Sequence, residues 1–163
     1  MRVFAISGYS RTGKTTLVEA IVRSLVDSGY SVATIKSSKH DPGPEHGTDT
    51  WRHKQAGATV TLFHKSDREN LNFRDIIRSE DLTKLVEHDF LIIEGMKSVD
   101  IPRLWCIGEN DLILDDVPPN TQAIITWSER PNLISDIPVI TNDDVGQLTD
   151  IVIRNAREFS ELE

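Results

Sequence analysis

Cysteine is nearly missing: Cys106 stands alone in 163 residues, so no disulfide forms within the chain and a cysteine-stapled fold is excluded. It lies in the apolar stretch Leu104 to Ile107, which suits a buried, inert thiol. Basic residues are also in deficit. The 18 Lys and Arg against 26 Asp and Glu leave a formal charge of -8, which argues against a dedicated nucleic-acid binder and towards small molecules or proteins as partners. No apolar run approaches the roughly 20 residues of a membrane span. Internal repeats and low-complexity segments are lacking, and no charged leader or cleavage site precedes the first strand-like run. The expectation is a cytoplasmic protein without membrane or nucleic-acid partners, folded as one domain over residues 1–163.

What the chain does have is Gly8-Tyr9-Ser10-Arg11-Thr12-Gly13-Lys14-Thr15, a fit to G-x-x-x-x-G-K-[ST] between the apolar run Val3 to Ile6 and a helical stretch. A loop free of bulk at Gly8 and Gly13 turns its backbone N–H groups around a phosphate, and the positive end of the following helix faces the same anion. Lys14 then serves as a point charge for the β- and γ-phosphates, and the Thr15 hydroxyl as an oxygen ligand for Mg²⁺. The strand before and helix after make a chance match the weaker reading.

Leu17, Val18, Ile21, Val22, Leu25 and Val26 recur at helical spacing, with Gly29 as the stop, and Ser31 to Ile35 reads as the second strand. Strand, helix, strand is the crossover that builds a parallel sheet. From Lys36 to Thr50 the chain is polar and turn-rich, which predicts a long loop beyond a strand's carboxyl end, where ligands bind in such sheets. A short helix is expected at Thr50 to Ala56, capped by Thr48 or Asp49, then a strand at Thr59 to Phe63, with Arg68 to Phe73 returning as a hairpin partner. Ser79 to Val86 reads as a helix and Phe90 to Ile93 as a central strand covered on both faces. Further strands are expected at Leu104 to Ile107, Gln122 to Thr126 and Pro138 to Ile140. A last helix from Asp144 to Phe159 would bury Val145, Leu148, Ile151, Val152 and Phe159. The fold class is α/β, a mostly parallel sheet flanked by helices with a small hairpin excursion.

Glu94-Gly95 closes the apolar strand. A carboxylate there is costly unless ion-paired or linked to metal, which favours a place at the site, and Gly95 leaves room for a γ-phosphate. Lys97 offers another charge to phosphate or stands as a surface lysine. Lys36, Lys39, His40 and Asp41, with Asp49 and Arg52 beyond, set cations towards an anionic ligand and give Asp41 the chance to position Mg²⁺ or a water. A transition-metal site of His40, Asp41, His46 and His53 is the lesser alternative, because the spacing matches no compact ligand motif. Asn142, Asp143 and Asp144 suit a base contact or a turn and helix cap, with the cap preferred.

Together, Gly8 to Thr15, Thr34-Ile35-Lys36 with Lys39-His40-Asp41, Asp49 to His53 with Ala56-Gly57-Ala58, and Leu91 to Lys97 resemble the B-type molybdopterin-guanine dinucleotide biosynthesis accessory proteins, the MobB family. The likeness spans about residues 2–110, with Met96 where an aromatic residue is expected. It implies a P-loop fold, GTP and Mg²⁺ as ligands, slow GTPase activity and a homodimer. It also implies assistance to the nucleotidyltransferase that attaches GMP to molybdopterin, with molybdopterin or its guanine dinucleotide form and the molybdenum-insertion enzyme as further partners. GTP follows from the resemblance alone, since the Asn-Lys-x-Asp signature that reads guanine is absent.

The site assignment combines these readings. Nucleotide-binding residues are Gly8, Ser10, Thr12, Gly13, Lys14, Thr15, Thr16, Lys36, Arg52 and Gly95; catalytic residues are Lys14, Asp41 and Glu94; metal ligands are Thr15, Asp41 and Glu94. Two rivals stand beside it. One is a small-molecule kinase whose lid would carry Arg68, Arg74 or Arg78, and the other is a nucleotide-dependent adaptor without turnover.

Overall fold

Strand β1 (Arg2–Gly8) is apolar on both sides because both faces of the sheet are covered. Phe4 and Ile6, with Phe90, Ile92, Leu104 and Cys106 of neighbouring strands, pack on Leu17, Val18 and Ile21 of α1 (Lys14–Asp27) and Leu148 and Val152 of α4 (Val145–Asn155). Val3 and Ala5, with Ala33, Ile35, Leu91 and Ile93, pack the opposite way, on Phe73, Ile77, Ile101 and Leu85 of α3 (Ser79–Leu85). The α1 stripe of Leu17, Val18, Ile21, Val22 and Leu25 is wholly buried, at roughly 1.5–3 kcal/mol per side chain. The helix ends where the Gly29 N–H donates to the Val26 carbonyl and the Tyr30 N–H to that of Leu25, which satisfies two of its last acceptors.

The remaining elements are β2 (Val32–Ser38), α2 (Asp49–Gln55), β3 (Val60–Lys65), β4 (Phe90–Glu94), β5 (Arg103–Cys106), β6 (Thr121–Thr126), β7 (Val139–Thr141) and β8 (Arg157–Glu158). This computed structural model describes residues 1–38, 45–65, 73, 77, 79–109, 117–129 and 135–162. Strand order is β3-β2-β4-β1-β5-β6-β7, all parallel, while β8 pairs antiparallel with Arg2 and Val3 of β1. Because β4 lies between β1 and β2, Glu94 is flanked by Ile6 on one side and Lys36 on the other. The two-residue period of β4 turns Glu94 to the same face as Phe90 and Ile92, the face that α1 covers. Among the described residues, no helix is long and apolar enough to cross a membrane.

Two expectations are corrected, on the ends of β2 and of the last helix. Strand β2 runs on to Ser38, so Lys36 belongs to a strand rather than to the loop, held by pairing with both β3 and β4. The last helix stops at Asn155 because Ala156 turns extended and the next two residues pair with β1. Phe159 thereby crosses to the opposite core, where it meets Phe73 at 5.8 Å between ring centroids. Of the expected hairpin strand 68–73, residues 68–72 lie outside the described residues and Phe73 has helical backbone. Thr48, not Asp49, caps α2, accepting the Trp51 N–H, and Asp144 caps α4.

Candidate functional site

The phosphate-loop sequence fills the gap between β1 and α1. Gly13 caps the helix in the left-handed region at φ 73, where a side chain is strained, and a Cβ there would lie 1.8 Å from the Trp127 ring. Trp127, just beyond β6, donates its indole N–H to the Thr12 carbonyl at 2.8 Å and so braces the loop from outside. At the other end, a Cβ on Gly8 would come within 2.2 Å of the Cys106 carbonyl. The Lys14 ammonium reaches back over the loop to the Tyr9 carbonyl and to Thr12 Oγ1, and burial lowers its pKa. Ser10 and Thr16 are exposed at the loop's surface, whereas Thr12 is buried and donates to the Tyr9 carbonyl at 2.8 Å.

Glu94 is the second centre. Its carboxylate, 1% exposed, accepts from Thr15 Oγ1 at 2.8 Å, from Lys36 Nζ at 2.5 Å and from His53 Nε2 at 2.8 Å. An ionised carboxylate only accepts, so His53 carries its proton on Nε2, and its buried Nδ1 has no partner among the described residues. Burial works against this carboxylate, yet the His53 hydrogen bond and the charge and hydrogen bond of Lys36 outweigh it and hold the carboxyl at about 2. Burial likewise opposes the charge on Lys36, but the Glu94 and Asp49 carboxylates together raise its pKa, with Asp49 at 2.6 Å. Asp49 and His53 stand four residues apart on α2, which lets one helix face reach both ends of the Lys36–Glu94 pair.

Comparison with known proteins gives the family. Residues 3–127 match the family described as Molybdopterin guanine dinucleotide synthesis protein B, or MobB. The chain belongs to the MobB family. A putative molybdopterin-guanine dinucleotide biosynthesis adapter protein of Methanocaldococcus jannaschii is 34% identical over 119 residues, 68% of this chain and 49% of that protein, so the alignment spans about half of that relative's length. A probable adapter protein of the same description from Bacillus subtilis is 30% identical over 149 residues, covering 87% of this chain and 86% of the relative. The solved structure of Bacillus subtilis MobB overlays with a TM-score of 0.64 at 24% identity, over 96% of this chain and 99% of that one. The MobB likeness extends through the phosphate loop, α2 and β4 to the end of β6.

Within this chain, Gly8, Ser10, Thr12, Gly13, Lys14, Thr15 and Thr16 share one loop and helix start, and Lys36, Glu94 and Gly95 stand next to it at the ends of β2 and β4. Arg52 is placed differently. Its guanidinium forks onto the Glu19 carboxylate at 3.0 and 2.6 Å, with Thr16 Oγ1 at 3.2 Å, so it ties α2 to α1. Asp41, assigned above to catalysis and metal, lies outside the described residues, as do Lys39 and His40. For the alternative metal site, His46 packs on the Trp51 ring with centroids 4.2 Å apart and His53 is committed to Glu94. Among the described residues no three His, Cys, Asp or Glu side chains cluster for a metal.

The donor set suits a magnesium nucleotide. Thr15 and Glu94 bring two hard oxygens together, the donor type Mg²⁺ takes, and the α1 N-terminus with Lys14 supplies the positive field for phosphate. Sequence reasoning missed two roles. His53 as a buried partner of Glu94 was signalled by its four-residue spacing from Asp49, whereas Trp127 as a brace on the loop had no local signal, because it lies just past a strand more than 110 residues away.

Proposed function

We propose that this chain is a GTP-binding accessory protein of molybdenum cofactor biosynthesis with slow, Mg²⁺-dependent GTPase activity, assisting guanine nucleotide attachment to molybdopterin. Its partners in this reading are the molybdopterin nucleotidyltransferase and the molybdenum-insertion enzyme, and it works as a cytoplasmic homodimer. The observation that carries it is the 2.8 Å contact of Thr15 with Glu94 at the start of α1, beside Lys14. The relatives' names, which speak of molybdopterin-guanine dinucleotide biosynthesis, support the pathway and the choice of guanine in this reading.

In this reading the loop N–H groups and Lys14 would hold the phosphates and Thr15, Glu94 and Asp41 would hold Mg²⁺, while the room that Gly95 leaves is taken by the Ser37 carbonyl, 2.7 Å from where a Cβ would stand. Mg²⁺, when bound, neutralises charge on the phosphate oxygens. Lys36 holds Glu94 ionised, and His53 fixes the carboxylate's orientation. Phosphoryl transfer needs mainly positioning and charge, both of which this arrangement offers. Glu94 and Asp49 are both engaged by Lys36, so neither is a free base for water, which agrees with slow turnover and also favours a second reading, a nucleotide-dependent adaptor. GTP turnover with the nucleotidyltransferase present separates them. Slow Mg²⁺-dependent hydrolysis above background that is lost in Glu94→Gln supports the first reading. Background turnover with partner binding that differs between GTP and GDP supports the second, and a chain indifferent to nucleotide in both assays contradicts both.

A further inference from the structure

Past β4 the backbone makes an unfavourable turn. Gly95 at φ 104 and Met96 at φ 53 are consecutive left-handed residues, and for Met96 that conformation costs roughly 1 kcal/mol or more. A Cβ on Gly95 would stand 2.7 Å from the Ser37 carbonyl, and Ser7 Oγ donates to the Gly95 carbonyl at 2.5 Å. The loop that follows is gripped by Arg103, 1% exposed, whose guanidinium donates to the carbonyls of Met96 at 3.2 Å, Lys97 at 2.9 Å and Val99. Burying a guanidinium is costly, so a segment held this way has a fixed position.

What the clamp fixes is Lys97. Its ammonium lies 4.7 Å from the Tyr9 ring centroid and 5.7 Å from that of Trp105, two rings set edge to face at 5.5 Å. Tyr9 is the second residue of the phosphate loop, and its carbonyl also receives the Lys14 ammonium. Lys97 forms no ion pair among the described residues. Burial lowers the pKa of Lys97, although the side chain as a whole is exposed. Two like charges beside one loop, neither paired with a carboxylate among the described residues, form a favourable arrangement when an anion joins them.

We propose that Lys97 is a second phosphate-binding cation, parked on Tyr9 and Trp105 so that a terminal phosphate held at Lys14 meets both ammonium groups. The proposal rests on the nucleotide reading of the loop only for its first possible source, the γ-phosphate; the other source is the phosphomonoester of a second ligand. Calorimetry on the full chain and on Lys97→Met and Lys97→Arg, with a non-hydrolysable GTP analogue, GDP and inorganic phosphate, tests it. Loss of about 10- to 100-fold in analogue affinity in Lys97→Met, with GDP binding unchanged and most affinity kept in Lys97→Arg, assigns the γ-phosphate. Unchanged nucleotide affinities with lost phosphate binding to the GDP-loaded protein assign the second ligand. Equal weakening of analogue and GDP in a variant that melts like the parent, or no change in any titration, overturns the proposal. Should the parent bind neither nucleotide, the nucleotide reading fails, and phosphate binding to the free parent against Lys97→Met still decides for or against Lys97.

Discussion

Replacing Glu94 by Gln probes the buried charge cluster. The side chain keeps its shape and an acceptor for Thr15, but Lys36 loses one of its two carboxylates and His53 its charged acceptor. In the native chain the carboxyl is held at about 2, against 4.5 for a free glutamate. Each pKa unit is worth about 1.4 kcal/mol, so the fold favours the ionised form by roughly 3 kcal/mol. Because the native pKa lies below the unfolded one, the unfolded chain binds more protons in the interval. The contribution is therefore complete above about pH 5 and is lost as pH falls towards 2. Urea denaturation of the metal-free protein should show Glu94→Gln less stable by roughly 3 kcal/mol near neutral pH, with the gap to the parent narrowing steadily below about pH 5. A gap of the same size at about pH 3, or no gap at neutral pH, would refute the reasoning that a net-favoured, ionised Glu94 anchors the cluster.

Other positions carry separate expectations. Gly13→Ala forces a left-handed alanine against the Trp127 ring and should lose about 2 kcal/mol or more in urea denaturation; adding Trp127→Ala should restore only part, and an undiminished single variant contradicts the geometry. Arg103→Met leaves the carbonyls of Met96, Lys97 and Val99 without their donor, so a thermal melt should show a loss of about 2–4 kcal/mol, and an unchanged Tm would count against the clamp. Burial pushes the Cys106 thiol up to about 12, so iodoacetamide at about pH 8 should leave the folded chain unlabelled and react on adding urea; rapid native labelling, read by mass, would show the strand end to be open.

Local pattern went far where one element decides the outcome. The β1–loop–α1 unit was legible because loop glycines, apolar period and helix stop all lie within about 30 residues and agree. Strand β4 announced itself by an unbroken apolar run, and its terminal Glu94 stood out for the cost of a carboxylate there. What could not be read were partners supplied by the sheet order. Lys36 meets Glu94 because β2 and β4 are neighbours in register, and nothing in either segment alone states that pairing. Arg52 looked like a free cation for an anion, yet Glu19 on the facing helix takes it. The end of α4 was misplaced for a similar reason, since pairing of Arg157 and Glu158 with β1 overrides a sequence that continues the helical period.

Everything proposed for this site depends on Lys14 and the loop around it binding a nucleotide with Mg²⁺. Calorimetric titration of GTP into the parent and into Lys14→Ala, with and without Mg²⁺, tests it most directly. Binding by the parent should tighten with Mg²⁺ and fall about 100-fold or more in Lys14→Ala. Equal affinity of the two proteins for GTP, or a parent that does not bind it, would rule out a nucleotide site at Lys14.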